Sequence, residues 1–173
     1  MPIFISHTTR DDELAKKVFW RLNRIHDITC YIDDMDKELG NNRGKSSLTP
    51  LLVDRLRKCD TLLAVVTENT KGSWWVPFEI GTAREMPRVI SSFTPLPDRS
   101  SYSWQETLPE YLLEWPRLRS DSDIDVFARE YKRQSLLLEK SIGLENFSQR
   151  SASVNNARNF ESTVMKSLSQ RSY

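Results

Sequence analysis

Short apolar runs alternate with amphipathic stretches along the chain, and this predicts an α/β fold: a doubly wound parallel sheet with helices on both faces. Three observations carry the prediction. Residues 3–6 and 61–66 are almost continuously apolar and rich in branched side chains, the pattern of strands buried on both faces. The stretches between strands repeat apolar residues at helical spacing. No internal repeat or biased tract interrupts the alternation. At 173 residues the chain is long enough for one well-filled domain and an appendage, divided at residues 1–142 and 143–173.

The elements follow in order. Residues 3–6 form the first strand, and a turn over residues 7–10 leads into Asp11 and Asp12, acids that suit a helix N-terminus. Leu14, Val18, Leu22 and Ile25 then share a helix face up to Asp27. Residues 28–32 (ITCYI) form the second strand. Residues 33–50 are polar and hold two glycines, a loop too long for an ordinary connection and therefore functional or mobile. Thr49 and Pro50 open a helix over residues 51–59, with Leu52, Leu56 and Cys59 on one side. The third strand is residues 61–66, and residues 68–73 are turn formers. A helix to Glu85 follows, with Ser73 as N-cap and Pro77 tolerated in its first turn. Residues 89–93 form the fourth strand, between Pro87 and Pro95. Residues 94–103 are a loop, and residues 104–113 a short helix broken at Pro109. Residues 114–118 form an edge strand, the one place where Pro116 is tolerated. Ser120 or Asp121 caps a helix to Leu138 that uses Ile124, Phe127 and Tyr131. A tail helix over residues 157–168 uses Phe160, Val164, Met165 and Leu168; packing on the domain is preferred for it over an oligomer contact.

Composition narrows the function. With 25 basic and 24 acidic residues the net charge is +1, so no long-range field draws nucleic acid or a membrane surface. The N-terminal residues MPIFISH lack a signal peptide's basic start, and no run reaches the length of a membrane span. A cytoplasmic protein is expected. Cys30 and Cys59 fit reduced thiols more simply than a disulfide, although a single bridge stays open, and neither has metal-ligand spacing to the other or to His7 and His26.

In an open doubly wound sheet of order 2-1-3-4-5, ligands bind beyond the strand C-termini, between strands one and three. That crevice collects Ser6 to Arg10, the turn after strand three, and the start of the helix carrying Trp75 and Glu79. The loop over residues 33–50 follows the neighbouring strand and is placed to close over it. No GxGxxG follows strand one, and Gly44-Lys45-Ser46 lacks the preceding strand and spaced glycine of a phosphate loop. His7 and His26 are isolated from any nucleophile. What remains is one carboxylate, Glu79, four residues from an indole, Trp75. One carboxylate suffices where the leaving group departs neutral, as nicotinamide does from ribose; it would hold the ribose hydroxyls and stabilise an oxocarbenium-like centre. The plain alternative is equally physical: a Glu near a helix N-terminus is favoured by the dipole, and paired tryptophans pack.

The ordered pieces IFISH (3–7), YID (31–33) and SWWVPFE (73–79) resemble the Toll/interleukin-1 receptor (TIR) domain, the last looking like the family's SxW(C/V)xxE signature. The likeness is good over residues 2–84, faint to about residue 138 and absent beyond. It implies a flavodoxin-like fold and one of two roles. Catalytic TIR domains of the bacterial type cleave NAD+ at the nicotinamide–ribose bond, giving nicotinamide and a linear, cyclised or conjugated ADP-ribose. The others are assembly modules that lack the glutamate. The family's catalytic glutamate falls on Glu79, and the substrate-contacting positions on Trp75, Ser6, His7, Arg10, Asp33 and Asp34. With the Glu present, the resemblance favours the enzyme. NAD+ is then substrate, not cofactor, and no metal is implied. A free-standing TIR enzyme resembles the Thoeris antiphage arrangement, which implies self-association and a separate effector protein that responds to the product.

Overall fold

The computed structural model describes residues 2–32, 48–86, 88–95, 110–112, 114–141 and 149–170. Five parallel strands form one sheet in the order β2-β1-β3-β4-β5. They are β1 (Ile3–Ser6), β2 (Cys30–Ile32), β3 (Thr61–Val65), β4 (Val89–Phe93) and β5 (Arg117–Leu118). In register, Ile3 pairs with both Cys30 and Thr61, and Thr61 with Val89. The strand order is the one expected from the sequence, so the chain reverses direction across the sheet between β1 and β3.

Among the described residues, five α-helices cover the sheet: α1 (Asp12–Trp20), α2 (Leu48–Arg57), α3 (Trp75–Glu85), α4 (Asp121–Ser141) and α5 (Gln149–Ser169). The period-2 alternation of the strands sends alternate residues to opposite faces. Ile3, Ile5, Leu63, Val65 and Phe93 meet Val18 and Leu22 of the first helix, Ile124 and Phe127 of α4, and Phe160 and Val164 of α5. Phe4, Leu62, Ala64, Val66 and Ile90 meet Leu52 and Leu56 of α2 and Val76, Ile80 and Ala83 of α3. The tail helix therefore packs into the core.

Several elements differ from expectation: β2, β3 and β5 are shorter than the stretches 28–32, 61–66 and 114–118, and the tail helix starts at Gln149, before residue 157. The first helix is α only to Trp20 and continues as a π turn, Arg21–Ile25. The wider turn carries Ile25 off the apolar face, and it is 64% exposed. Chain reversal then uses Asp27 at φ 49, a left-handed conformation that Asp tolerates. The second helix begins at Leu48, so Pro50 lies inside its first turn, where its missing N–H costs nothing. On α5, Phe160 and Val164 are buried but Met165 is 42% exposed, since residues adjacent in sequence point about 100° apart on a helix and only one can face the core. The N-cap position of α3 is Trp74, one residue later than expected; Ser73 still serves the helix end, its Oγ accepting from the Val76 N–H at 3.2 Å. The helix expected over residues 104–113 lies outside the described residues except for a 3-10 turn, Glu110–Leu112.

Two polar devices brace the fold. Arg21 donates through Nε and Nη2 to both oxygens of Asp125 at 2.8 Å, and through Nη1 to Asp121 at 3.0 Å. His26 Nε2 lies 2.7 Å from Asp125 Oδ1. The π turn thus aims its side chains at α4. At the far sheet edge, Ser92 and Thr94 donate to the carbonyls of Pro116 and Leu118. The Ile90 N–H, on the same side of β4, lies beyond the reach of the two-residue β5 and donates instead to Glu161 Oε1 of α5 at 3.0 Å. Cys30 and Cys59 are free and buried. Burial pushes their thiols up to about 12 and about 11, which keeps them protonated and unreactive at neutral pH. Among the described residues no helix is long and apolar enough to cross a membrane.

Candidate active site

A cleft of about 380 Å³ opens beyond the C-terminal ends of β1 and β3. One wall is the loop after β1, with Thr8, Thr9 and Arg10; the other is Asn69, Gly72 and Ser73 after β3, continuing into Trp74 and Trp75 of the α3 start. Each wall is fixed by local chemistry. Thr67 and Thr70 form a reciprocal capping box at the 3-10 turn Glu68–Gly72: Thr67 Oγ1 accepts from the Asn69 N–H, and Thr70 Oγ1 from the Thr67 N–H, both at 3.0 Å. The Ser73 hydroxyl then starts α3. The Trp75 ring stands edge-on to Phe78, with centroids 5.9 Å apart and planes at 89°, so this indole is a fixed wall. Trp74 is different: its ring is 91% exposed at the cleft mouth.

Glu79 lies one turn beyond Trp75 on α3 and is 1% exposed. It is not among the side chains that line the cleft. It sits beneath the lining of the tryptophan wall, shielded from water. The other residues expected at the site divide in three. Arg10 and Trp75 line the cleft. Ser6 and His7 are buried and do not line it; His7 Nε2 lies 3.5 Å from Asp12 Oδ1, facing the start of α1. Asp33 and Asp34, with the loop that carries them up to residue 47, lie outside the described residues.

The group that joins the two walls, Asp11, was not among the residues expected at the site. Asp11 is buried, and its carboxylate accepts from Thr8 Oγ1 at 3.0 Å, Thr67 Oγ1 at 2.7 Å and Asn69 Nδ2 at 2.8 Å. Asp11 reads in sequence as a helix-dipole acid, and two of its three partners lie more than fifty residues away. The only local signal is the Thr8–Asp11 spacing, which suits a side-chain-closed turn. No group of three or more His, Cys, Asp or Glu suited to a metal ion occurs among the described residues.

Comparison with known proteins decides the family. The model for the TIR domain matches residues 3–130. The chain belongs to the TIR domain family. Two curated relatives share the domain. One, from Bacillus cereus (strain MSX-D12), is named a probable 3' cyclic ADP-D-ribose synthase, ThsB'; it is 28% identical over 117 residues, which cover 66% of this chain and 58% of that protein. The other, from Cytobacillus dafuensis, carries the provisional name cyclic ADP-D-ribose synthase TIR2; it is 28% identical over 90 residues, 51% of this chain and 24% of that protein. The TIR chain thus spans just over half the length of the first and about a quarter of the second. The TIR domains of the activated Roq1 resistosome recognising the effector XopQ match over 99% of both chains, at 18% identity and a TM-score of 0.45, too distant to build on.

Proposed function

We propose that this TIR protein is an NAD+-cleaving enzyme that breaks the nicotinamide–ribose bond and releases nicotinamide with an ADP-ribose product, cyclised as in the names of its relatives. The observation that carries the reading is the buried Glu79 one turn beyond the cleft-lining Trp75, at the switch point of the sheet. The pyridinium leaves as neutral nicotinamide, taking the bonding electron pair and needing no proton. The positive charge left at ribose C1′ is then stabilised by the Glu79 carboxylate. A water at C1′, losing a proton, gives linear ADP-ribose; a hydroxyl of the same nucleotide, losing its proton, gives a ring. Which of the two forms depends on how far a bound nucleotide, folded against Trp74 and Trp75, keeps water from C1′. Among the described residues that line the cleft, Arg10 is the cation for the pyrophosphate. On this reading NAD+ is substrate and no cofactor is needed. The reaction belongs in the cytoplasm, a second copy of the chain is a partner, and a separate effector reads the product in antiphage defence.

The test is incubation of the full chain with NAD+, at low and high protein concentration and with phage-derived activators, followed by chromatography for nicotinamide and mass spectrometry of the nucleotide product. Glu79→Gln is expected to lower nicotinamide release by roughly 10²–10³-fold with an unchanged circular dichroism spectrum. An intact NAD+ pool with the wild-type chain under all these conditions, or full activity in Glu79→Gln, removes the enzyme reading and leaves the assembly module, for which Glu79→Gln is silent.

A further inference from the structure

Asp11 occupies the N-cap position of α1, yet its side chain makes no capping hydrogen bond to that helix. Ordinarily an Asp at this position stabilises the helix end. Here both carboxylate oxygens turn away. Oδ2 takes the hydroxyls of Thr8 and Thr67, and Oδ1 takes the amide of Asn69. At 6% exposure these bonds compete little with water, and hydrogen bonds to a charged acceptor are the strong kind. Thr8 belongs to one wall of the cleft and Asn69 to the other. Thr67 lies at the head of the turn that delivers Gly72 and Ser73 to the second wall. The residue immediately before Asp11 is Arg10, the cation of the first wall.

We propose that Asp11 is a positioning residue: by tying Thr8 to Thr67 and Asn69 it sets the distance between the Arg10 wall and the tryptophan wall, and so the grip on a bound dinucleotide. Asp11 does not touch the ligand on this proposal, which rests on the NAD+ reading above. It acts through backbone placement of Arg10 on one side and of the 3-10 turn on the other. The three bonds converge on one side chain, so its removal frees both walls together, whereas loss of either threonine frees one arm.

Three variants of the full chain test this. Asp11→Ala removes every arm, Asp11→Asn keeps the shape and part of the bonding, and Thr67→Val removes one arm together with the cap that the same hydroxyl offers to the Asn69 N–H, without changing charge. In NAD+ cleavage, Asp11→Ala is expected to raise KM roughly tenfold while kcat stays within about threefold, with Asp11→Asn and Thr67→Val between it and wild type. In an Arg10→Ala background the same change adds less than about twofold to KM, because the residue through which it acts is already gone. A brace that matters only for folding would lower the melting temperature and the active fraction without moving KM. An unmoved KM in the folded variants, or a full tenfold effect without Arg10, overturns the proposal. Hydrogen exchange reads the brace without catalysis. Asp11→Asn is expected to speed exchange at residues 8–11 and 67–73 roughly tenfold, and to leave β4 unchanged. If the wild-type chain leaves NAD+ intact, the enzyme reading falls on its own and this exchange pattern still decides the brace. Exchange unchanged in both loops overturns it whatever the turnover assay gives.

Discussion

The two faces of the sheet are built to different ends. One carries α1, α4 and α5, buries Phe127 and Phe160 edge-on at 5.7 Å, and is riveted by the Arg21–Asp125–His26 cluster. The other carries α2 and α3 on smaller side chains and holds Glu79 at the base of its tryptophan-bearing helix. The first face supplies most of the large apolar burial. The second carries the exposed indole of Trp74 and the buried carboxyl group of Glu79. The difference teaches a division of labour: the thick face holds the sheet rigid, and the thin one shapes a wall of the cleft.

This comparison can be broken at three points, taken from the largest effect down. Phe127→Ala removes a ring with no exposure from the thick face and is expected to cost about 3–5 kcal/mol in urea unfolding. Turnover per folded molecule is expected to hold; a matching loss of turnover would merge the two faces into one unit. Next is the ion cluster. The Arg21 hydrogen bonds, with His26 assisting, hold the Asp125 carboxyl down to about 2, from an ordinary 3.8. A folded value below the unfolded one gives stability that is present above the unfolded value and is lost as pH falls toward 2. Wild type is therefore expected to exceed Asp125→Asn by about 1–2 kcal/mol at neutral pH, discounted because the carboxylate is a quarter exposed, and the gap closes between about pH 5 and 2. A gap constant down to pH 2 in thermal melts removes this rivet. The smallest change in stability is Ser73→Ala, about 1 kcal/mol for a lost hydroxyl at the α3 start. That substitution sharpens the contrast, since it loosens Trp74 and Trp75 and is expected to lower NAD+ cleavage more than Phe127→Ala does, measured at equal folded concentration.

Much of this was legible in the chain because it is local. Strands β1 and β4 fall on the expected residues, and β3 ends one residue early, since continuous apolar runs have no other comfortable place than a doubly covered sheet. Glu79 stands out in the chain for its spacing to Trp75 and the signature around it, but its depth was not legible: it is buried and does not line the cleft. Nor was Asp11 legible, because its meaning depends on Thr67 and Asn69, which only the β1–β3 pairing brings near. Ile25 was misplaced because an apolar repeat at 3.6 residues gives no warning of a π turn. Met165 was misplaced because Val164 and Met165 are equally apolar, and only packing against β4 selects between them.

The bond from the Ile90 N–H to Glu161 has a consequence for how the sheet ends. A parallel sheet that stops short offers open donors, and a passing extended segment can add to them, copy after copy, until the protein precipitates. A carboxylate accepts from that donor and offers no N–H of its own, so templating stops there; burial also lifts the Glu161 carboxyl above its usual range while the Ile90 N–H draws it back. The helix that provides this stop lies beyond residue 130, outside the stretch matched by the family. The cap on this edge donor thus comes from a segment that takes no part in the fold's signature.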